Sequence, residues 1–420
     1  MYRRRDFLRV TAGAVGAALV APPGMVEAQK TAGPIGNLRP MTDGIVKISN
    51  HERLARIDKA RRLMMENGID AIVLEPGSSM YYFTDIRWWA SERLFALIVP
   101  ARGPLAWICP KFEEDRAHEL IRFGEDIRSW EEDGSPFRLV GQVFKDRGIV
   151  TGRIGIEEKV RFFASDGIRK ETRALEFVSA DRVTVGCRVI KSPAEIALMQ
   201  RANDITIVAY RSAVTMLKDG MTPSEFSANC SAAFRALGVS GGAGANFGKA
   251  SAFPHGSTQP QVLREGDIVL MDGGCSVEGY QSDISRTVVF GSPTQRQREV
   301  WDLVRRAQDA ALHAAKVGVA CEDVDAAARR VITDAGFGPG YKVPGFPHRA
   351  GHGIGLDGHE WTYLVGGNKT ALQAGMCFSN EPMIAIPGEF GIRHEDCMYI
   401  TEEGGRLFTR QSQSIDMPLG

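Results

Sequence analysis

Ile268-Val269-Leu270-Met271 is a short apolar run that ends on a carboxylate, Asp272. Its composition predicts a strand. Gly273, Gly274 and Gly279 follow and allow a turn, after which the chain returns through Ser282-Asp283-Ile284-Ser285-Arg286-Thr287-Val288-Val289. Two carboxylates eleven positions apart, Asp272 and Asp283, can therefore face each other across one hairpin. A carboxylate closing an apolar strand costs free energy unless it is paired, hydrogen-bonded or bound to a cation. On this pair alone, capping and salt-bridge roles stand open beside a metal role.

Farther along, Pro347-His348-Arg349-Ala350-Gly351-His352-Gly353-Ile354-Gly355-Leu356-Asp357-Gly358-His359 packs three histidines into thirteen residues, in a chain that has 8 in all. Neutral imidazole ligates metals, and glycines let backbone crowd close to a bound group. Any one of these histidines could equally serve the core or support a neighbour; the cluster as a set points to a site. Two glutamates then flank apolar strands. Glu381 follows Cys377-Phe378-Ser379-Asn380 and precedes Met383-Ile384-Ala385-Ile386, while Glu395 follows Arg393-His394 and precedes Cys397-Met398-Tyr399-Ile400. Four carboxylates and one imidazole form an oxygen-rich donor set. It suits two divalent ions, Mn²⁺ foremost, with Co²⁺, Fe²⁺ or Zn²⁺ as alternatives. Two such ions can share a water, lower its pKa and stabilise a tetrahedral oxyanion.

In their order and in the Asp-to-Asp spacing, Asp272, Asp283, His352, Glu381 and Glu395 resemble the ligand set of the metal-dependent creatinase, prolidase and aminopeptidase P family. The surrounding words agree: Met271-Asp272-Gly273-Gly274, Gly279-Tyr280-Gln281-Ser282-Asp283, Gly351-His352-Gly353-Ile354-Gly355, Asn380-Glu381-Pro382 and Arg393-His394-Glu395-Asp396. The resemblance implies an α+β pita-bread catalytic domain at the carboxy terminus, preceded by an α/β creatinase-like amino-terminal domain. It further implies that His255, His348, His359 and Arg393 orient substrate and stabilise the tetrahedral species. Glu381 doubles as the proton carrier between water and leaving nitrogen. A homodimer is implied as well.

The implied reaction is hydrolysis of short peptides with proline second, by an Xaa-Pro aminopeptidase or dipeptidase. Action on a small non-peptide amide, a lyase activity, or a non-catalytic binding role on the same fold are the alternatives. Three departures bear on the substrate. The family's Glu-Pro-Gly-Ile-Tyr run stands here as Glu381-Pro382-Met383-Ile384-Ala385, and His394 replaces an apolar residue. These changes put proline specificity in question more than hydrolysis. The string Gly353-Ile354-Gly355-Leu356-Asp357-Gly358 fits a dinucleotide fingerprint, but Val343-Pro344-Gly345-Phe346-Pro347-His348 before it is no apolar strand, so that reading is rejected.

The rest of the chain frames these motifs. Arg3-Arg4-Arg5-Asp6-Phe7-Leu8-Arg9, an apolar run from Val10 to Ala21 and the small-residue site Val26-Glu27-Ala28 predict a cleaved targeting segment over 1–28. Paired arginines before Phe-Leu resemble a twin-arginine signal, which predicts a periplasmic or secreted protein without a stable membrane anchor. A Sec signal or a single anchor is the alternative. A linker over 29–49, an α/β domain over 50–185, the catalytic domain over 186–412 and a tail over 413–420 complete the expected organisation. Leu54, Ile57, Arg61 and Met64 fall at helical spacing. Ser192-Pro193-Ala194-Glu195 and Thr222-Pro223-Ser224-Glu225 are helix starts with capping boxes. Lys+Arg and Asp+Glu are both 51, so net charge is zero and nothing points to a nucleic-acid partner. The 7 cysteines include no CxxC pair, which argues against a thiolate zinc site.

Overall fold

The computed structural model describes residues 33–419, so the expected targeting segment lies outside the described residues. In the amino-terminal half, the chain runs α1 (Asn50–Glu66), β1 (Ala71–Leu74), α2 (Ser78–Thr84), β2 (Ala96–Pro100), β3 (Ala106–Pro110), α3 (Glu114–Leu120), β4 (Asp126–Trp130), α4 (Pro136–Asp146), β5 (Gly152–Ile156), α5 (Phe162–Glu171), β6 (Leu175–Ser179) and α6 (Asp181–Arg188). The strands form one mixed sheet in the order β4-β3-β2-β1-β5-β6. Every residue of β1, β2 and β3 is buried. That is why these strands read as unbroken apolar runs rather than alternating ones.

Helix α1 forms where expected, with Ser49 accepting from the Glu52 amide, but its buried stripe differs. Leu54 is 50% exposed, while Arg53 and Arg56 are buried. Both guanidiniums satisfy backbone carbonyls at the end of α2: Arg53 Nη1 donates to Tyr81 O at 2.6 Å and Arg56 Nη1 to Tyr82 O at 3.0 Å. A buried arginine is tolerable when its donors are used this way.

The carboxy-terminal half opens with α7 (Pro193–Val214) and α8 (Pro223–Ala236), each with its capping box in place. There follow β7 (Gly241–Phe247), β8 (Ile268–Val277), β9 (Tyr280–Gln281), β10 (Ile284–Val289), α9 (Gln295–Ala314) and α10 (Cys321–Asp334). The remaining strands are β11 (Gly351–Gly353), β12 (Glu360–Leu364), β13 (Cys377–Asn380), β14 (Met383–Ile386), β15 (Phe390–Arg393), β16 (Asp396–Thr401) and β17 (Gly404–Leu407). One sheet has the order β10-β8-β7, a second β12-β11-β13-β16-β17, and β14 and β15 form a two-stranded sheet.

One expectation is corrected here. Gly273 and Gly274 do not turn the chain; they lie inside β8, which continues to Val277, and the turn falls at Glu278 and Gly279. The reason for glycine is close approach. A Cβ at Gly273 would meet Gly242 O at 2.3 Å, and one at Gly274 would meet Ser282 O at 2.1 Å. Neighbouring backbone thus fills the space on both sides of the strand that carries Asp272. Among the described residues no helix is long and apolar enough to cross a membrane, and all seven cysteines are buried free thiols.

Candidate metal centre

Strand pairing explains how residues distant in sequence converge. Asp272 in β8 lies opposite Ser285 in β10, and Asp283 immediately precedes β10. His352 sits in β11, Glu381 directly follows β13, and Glu395 occupies the step between β15 and β16. These five, with His255, His348, His359 and Arg393, line one cavity of about 400 Å³. The structure therefore brings together every site residue expected from the sequence.

Ligand-capable atoms within 4.8 Å of one another form three overlapping groups: Asp272, Asp283 and Glu395; His352, Glu381 and Glu395; and Asp283, His352 and His359. His352 Nε2 lies 3.4 Å from Glu381 Oε1 and 3.8 Å from Asp283 Oδ2. Its Nδ1 is 3.1 Å from Gly353 O, so Nδ1 carries the proton and Nε2 offers its lone pair to the cavity. Burial, with His359 adding to it, pushes this imidazole down to about 3, so it is neutral at neutral pH.

Hydroxyls and guanidiniums hold the carboxylates. The Ser285 hydroxyl donates to Glu395 Oε2 at 2.5 Å or to Asp272 Oδ1 at 3.0 Å, one at a time, and accepts from Arg393 Nε at 2.8 Å. Arg393 Nη2 is 2.5 Å from Asp272 Oδ2. Ser379 donates to Glu381 Oε1 at 3.2 Å. Beneath the site, the fully buried Arg286 donates to Glu395 O at 2.7 Å and pairs with Asp396 at 2.6 Å. The Tyr210 hydroxyl lies 3.0 Å from Gly273 O and 2.8 Å from Ile284 O, tying the strands on which Asp272 and Asp283 sit.

Burial drives the carboxyls of Asp283 and Glu395 well above the ordinary range, and mutual repulsion adds to it. Burial likewise pushes Glu381 up to about 7, against the opposing pull of Arg393. The two guanidiniums that line the cavity, Arg393 and Arg349, do not neutralise four neighbouring carboxylates. The donor set therefore fits divalent cations, which would supply the missing positive charge.

Histidines and arginines complete the lining. His348 is held down to about 3 by burial; its Nδ1 is 2.8 Å from Arg349 O, and its buried Nε2 has no protein partner among the described residues. His359 stacks on His352 with centroids 3.8 Å apart. Arg349, overlooked in the sequence, also lines the cavity, with its guanidinium over the Tyr363 ring. A charge embedded in a Gly/His run was the available signal. The three departures from the family pattern do not line the cavity: Met383 and Ala385 are buried in the core, and His394 packs on Trp301 at 4.2 Å.

The profile of the creatinase/prolidase N-terminal domain matches residues 56–190, and that of metallopeptidase family M24 matches residues 197–402. An uncharacterized peptidase of Schizosaccharomyces pombe is 37% identical over 384 residues, spanning 86% of this chain and 82% of the yeast protein. The chain belongs to metallopeptidase family M24. An Xaa-Pro dipeptidase of Lactobacillus delbrueckii subsp. lactis is 30% identical over 369 residues, covering 86% of this chain and 98% of its own length. The crystal structure of dipeptidase PepE from Mycobacterium ulcerans superposes with a TM-score of 0.81 at 30% identity, covering 88% of this chain and 99% of that one. As an M24 metallopeptidase the chain is a metal-dependent hydrolase, with a pita-bread catalytic half behind a creatinase-like amino-terminal half.

Proposed function

We propose that this M24 metallopeptidase is an Xaa-Pro peptidase of the dipeptidase kind, using two divalent cations with Mn²⁺ foremost. Asp272, Asp283, His352, Glu381 and Glu395 would hold them. The observation that carries this reading is one cavity in which four carboxylates and the neutral His352 imidazole converge beside His255, His348, His359, Arg349 and Arg393. Relatives named Xaa-Pro dipeptidase and prolidase support the choice of substrate class.

Bound there, such cations would lower the pKa of a water and polarise the scissile carbonyl. The residues of the chain do the rest. Glu381 takes the proton from the attacking water and passes it to the leaving nitrogen, within reach of His352 and held by Ser379. His348 presents its unpartnered Nε2 to the substrate, and His255, His359 and Arg393 supply further hydrogen bonds to the peptide and its oxyanion.

Metal analysis of the folded protein is expected to give close to two ions per chain, and chelation to abolish turnover. Asp283→Asn should lose at least one ion. Full activity of the metal-free protein would overturn the mechanism. We also propose that residues 1–28 direct twin-arginine export to the periplasm or beyond, and that the mature chain is a homodimer. Replacing Arg4 and Arg5 with lysines should then trap precursor in the cytoplasm, and light scattering should give twice the mass of the mature chain. Normal export, or a monomer mass, would refute the respective proposal.

A further inference from the structure

On either side of His359 in sequence, a chain of charges crosses between the two halves of the molecule. Asp357 Oδ2 accepts from Arg188 Nη2 at 2.7 Å and from Lys159 Nζ at 2.5 Å, while its Oδ1 accepts from the Ser78 hydroxyl at 2.5 Å. Glu360 pairs with the same Arg188 nitrogen and with Lys191 Nζ at 3.0 Å. Its Oε1 also accepts from the amides of Leu356 at 2.9 Å and Asp357 at 3.1 Å, closing the loop that leads into β12. Ser78, Lys159 and Arg188 belong to the amino-terminal half; Asp357 and Glu360 belong to the catalytic half.

His359 lies between Asp357 and Glu360 in sequence. Its ring has little of its own to hold it: one contact to Arg349 Nη2 at 3.3 Å, and the stack on His352. His359 lines both the main cavity and a pocket of about 30 Å³ bounded by Glu157, Arg188, Asp357, Glu360 and Trp361. It is thus shared between the interdomain charges and the reaction cavity. Glu360 and Lys191 are buried at 8% and 6% exposure, and such buried pairs fix geometry more than they add stability.

We propose that Arg188, a residue of the amino-terminal half, is a positioning residue: through Asp357 and Glu360 it sets the orientation of His359 toward the substrate. The inference rests on the assignment of His359 to the substrate side of the site. It gives the amino-terminal half a part in turnover that its lack of reactive groups conceals.

The test is a double-mutant cycle with a spectroscopic check on the full chain. Asp357→Ala is the principal variant, because its side chain is 24% exposed and Arg188 keeps Glu360 as a partner. Arg188→Gln and Arg188→Lys accompany it. With metal content equal to wild type, Asp357→Ala and Arg188→Gln should lower kcat on an Ala-Pro substrate by about 10- to 100-fold, the range for a misplaced group near the reaction. Arg188→Lys should recover part of the loss. Placed on His359→Ala, neither change should cost anything further. In protein labelled at histidine and loaded with diamagnetic Zn²⁺, the His359 ring signal should shift or broaden in Asp357→Ala while those of His118 and His313 stay put. Wild-type kcat in Asp357→Ala, a full loss persisting on His359→Ala, or an unmoved His359 signal would each overturn the proposal. If Arg188→Gln fails to fold, Asp357→Ala decides. If wild-type protein cleaves no Xaa-Pro substrate, the peptidase reading falls, and the ring signal still decides the positioning role.

Discussion

Replacing Gly274 with alanine should damage the metal centre without touching any ligand. A Cβ there would stand 2.1 Å from Ser282 O and 2.7 Å from Ser282 C, whereas real contacts of this kind essentially never fall below 3.0 Å. The deficit is 3.0 − 2.1 = 0.9 Å. The obstacle is backbone, so no side chain can swing aside. The 282–283 segment must move, although the Ser282 amide is bonded to Cys275 O at 3.0 Å and the Ser282 hydroxyl lies 2.8 Å from that of Thr206. Overpacking on this scale costs about 1–3 kcal/mol. Asp283 is the next residue, so the displacement passes directly to a proposed ligand, and a shift near 1 Å can lower turnover by about 10²-fold. Urea unfolding, metal content and kcat on Ala-Pro measured on one preparation provide the check. Gly244→Ala on neighbouring β7 is the control, since nothing lies within 4 Å of its would-be Cβ; it should stay within about 0.5 kcal/mol of wild type. Wild-type stability and turnover in Gly274→Ala would refute the close-approach argument.

Glu381→Gln should keep the fold and lower kcat by about 10²–10⁴-fold, with metal occupancy measured in the same sample; near wild-type kcat at full occupancy would remove Glu381 from proton transfer. A pH dependence of metal-free stability follows from the burial of Glu381, whose carboxyl is pushed from 4.5 up to about 7. Between those values Glu381 is more protonated in the folded state than in the unfolded one, so its contribution to unfolding free energy falls as pH rises through that window. The buried His348 and His352, lowered from 6.5 to about 3, slope the whole profile the other way. The check is therefore the difference between chelated wild type and Glu381→Gln in thermal melts from pH 4.5 to 7.5. Wild type should lose stability relative to the variant as pH rises, and added Mn²⁺ should stabilise wild type more at the high end, where protons no longer compete; an unchanged difference would contradict the burial argument.

Asp272, Asp283, Glu381 and Glu395 could be read from the sequence because each adjoins an apolar run, where an uncompensated charge demands an explanation. His352 stood out in its histidine cluster, and His255, His348, His359 and Arg393 came with the family resemblance. What escaped depends on partners that only the fold supplies. Arg53 and Arg56 are buried because Tyr81 and Tyr82 offer carbonyls at the end of α2, a contact across roughly a quarter-century of positions that periodicity does not encode. Gly273 and Gly274 read as a turn because glycine has two uses, and only the packing of Gly242 and Ser282 against β8 selects close approach. Met383, Ala385 and His394 read as neighbours of the site from their place beside Glu381 and Glu395. β14 is buried along its whole length and His394 packs on Trp301 of α9, so all three lie in the core and none lines the cavity. Arg188 gave no signal at all, since its partners Asp357 and Glu360 lie far along the chain in the other half.

The central claim is that this cavity hydrolyses the bond before proline. The measurement that bears on it most directly is kcat/KM of the Mn²⁺-loaded mature protein on Ala-Pro against Ala-Ala, with metal content held equal. A preference for Ala-Pro of about tenfold or more is expected, because groups placed to fit the proline-side unit act only in the transition state that contains it. A ratio near one would contradict the Xaa-Pro assignment and leave a metallopeptidase of other specificity.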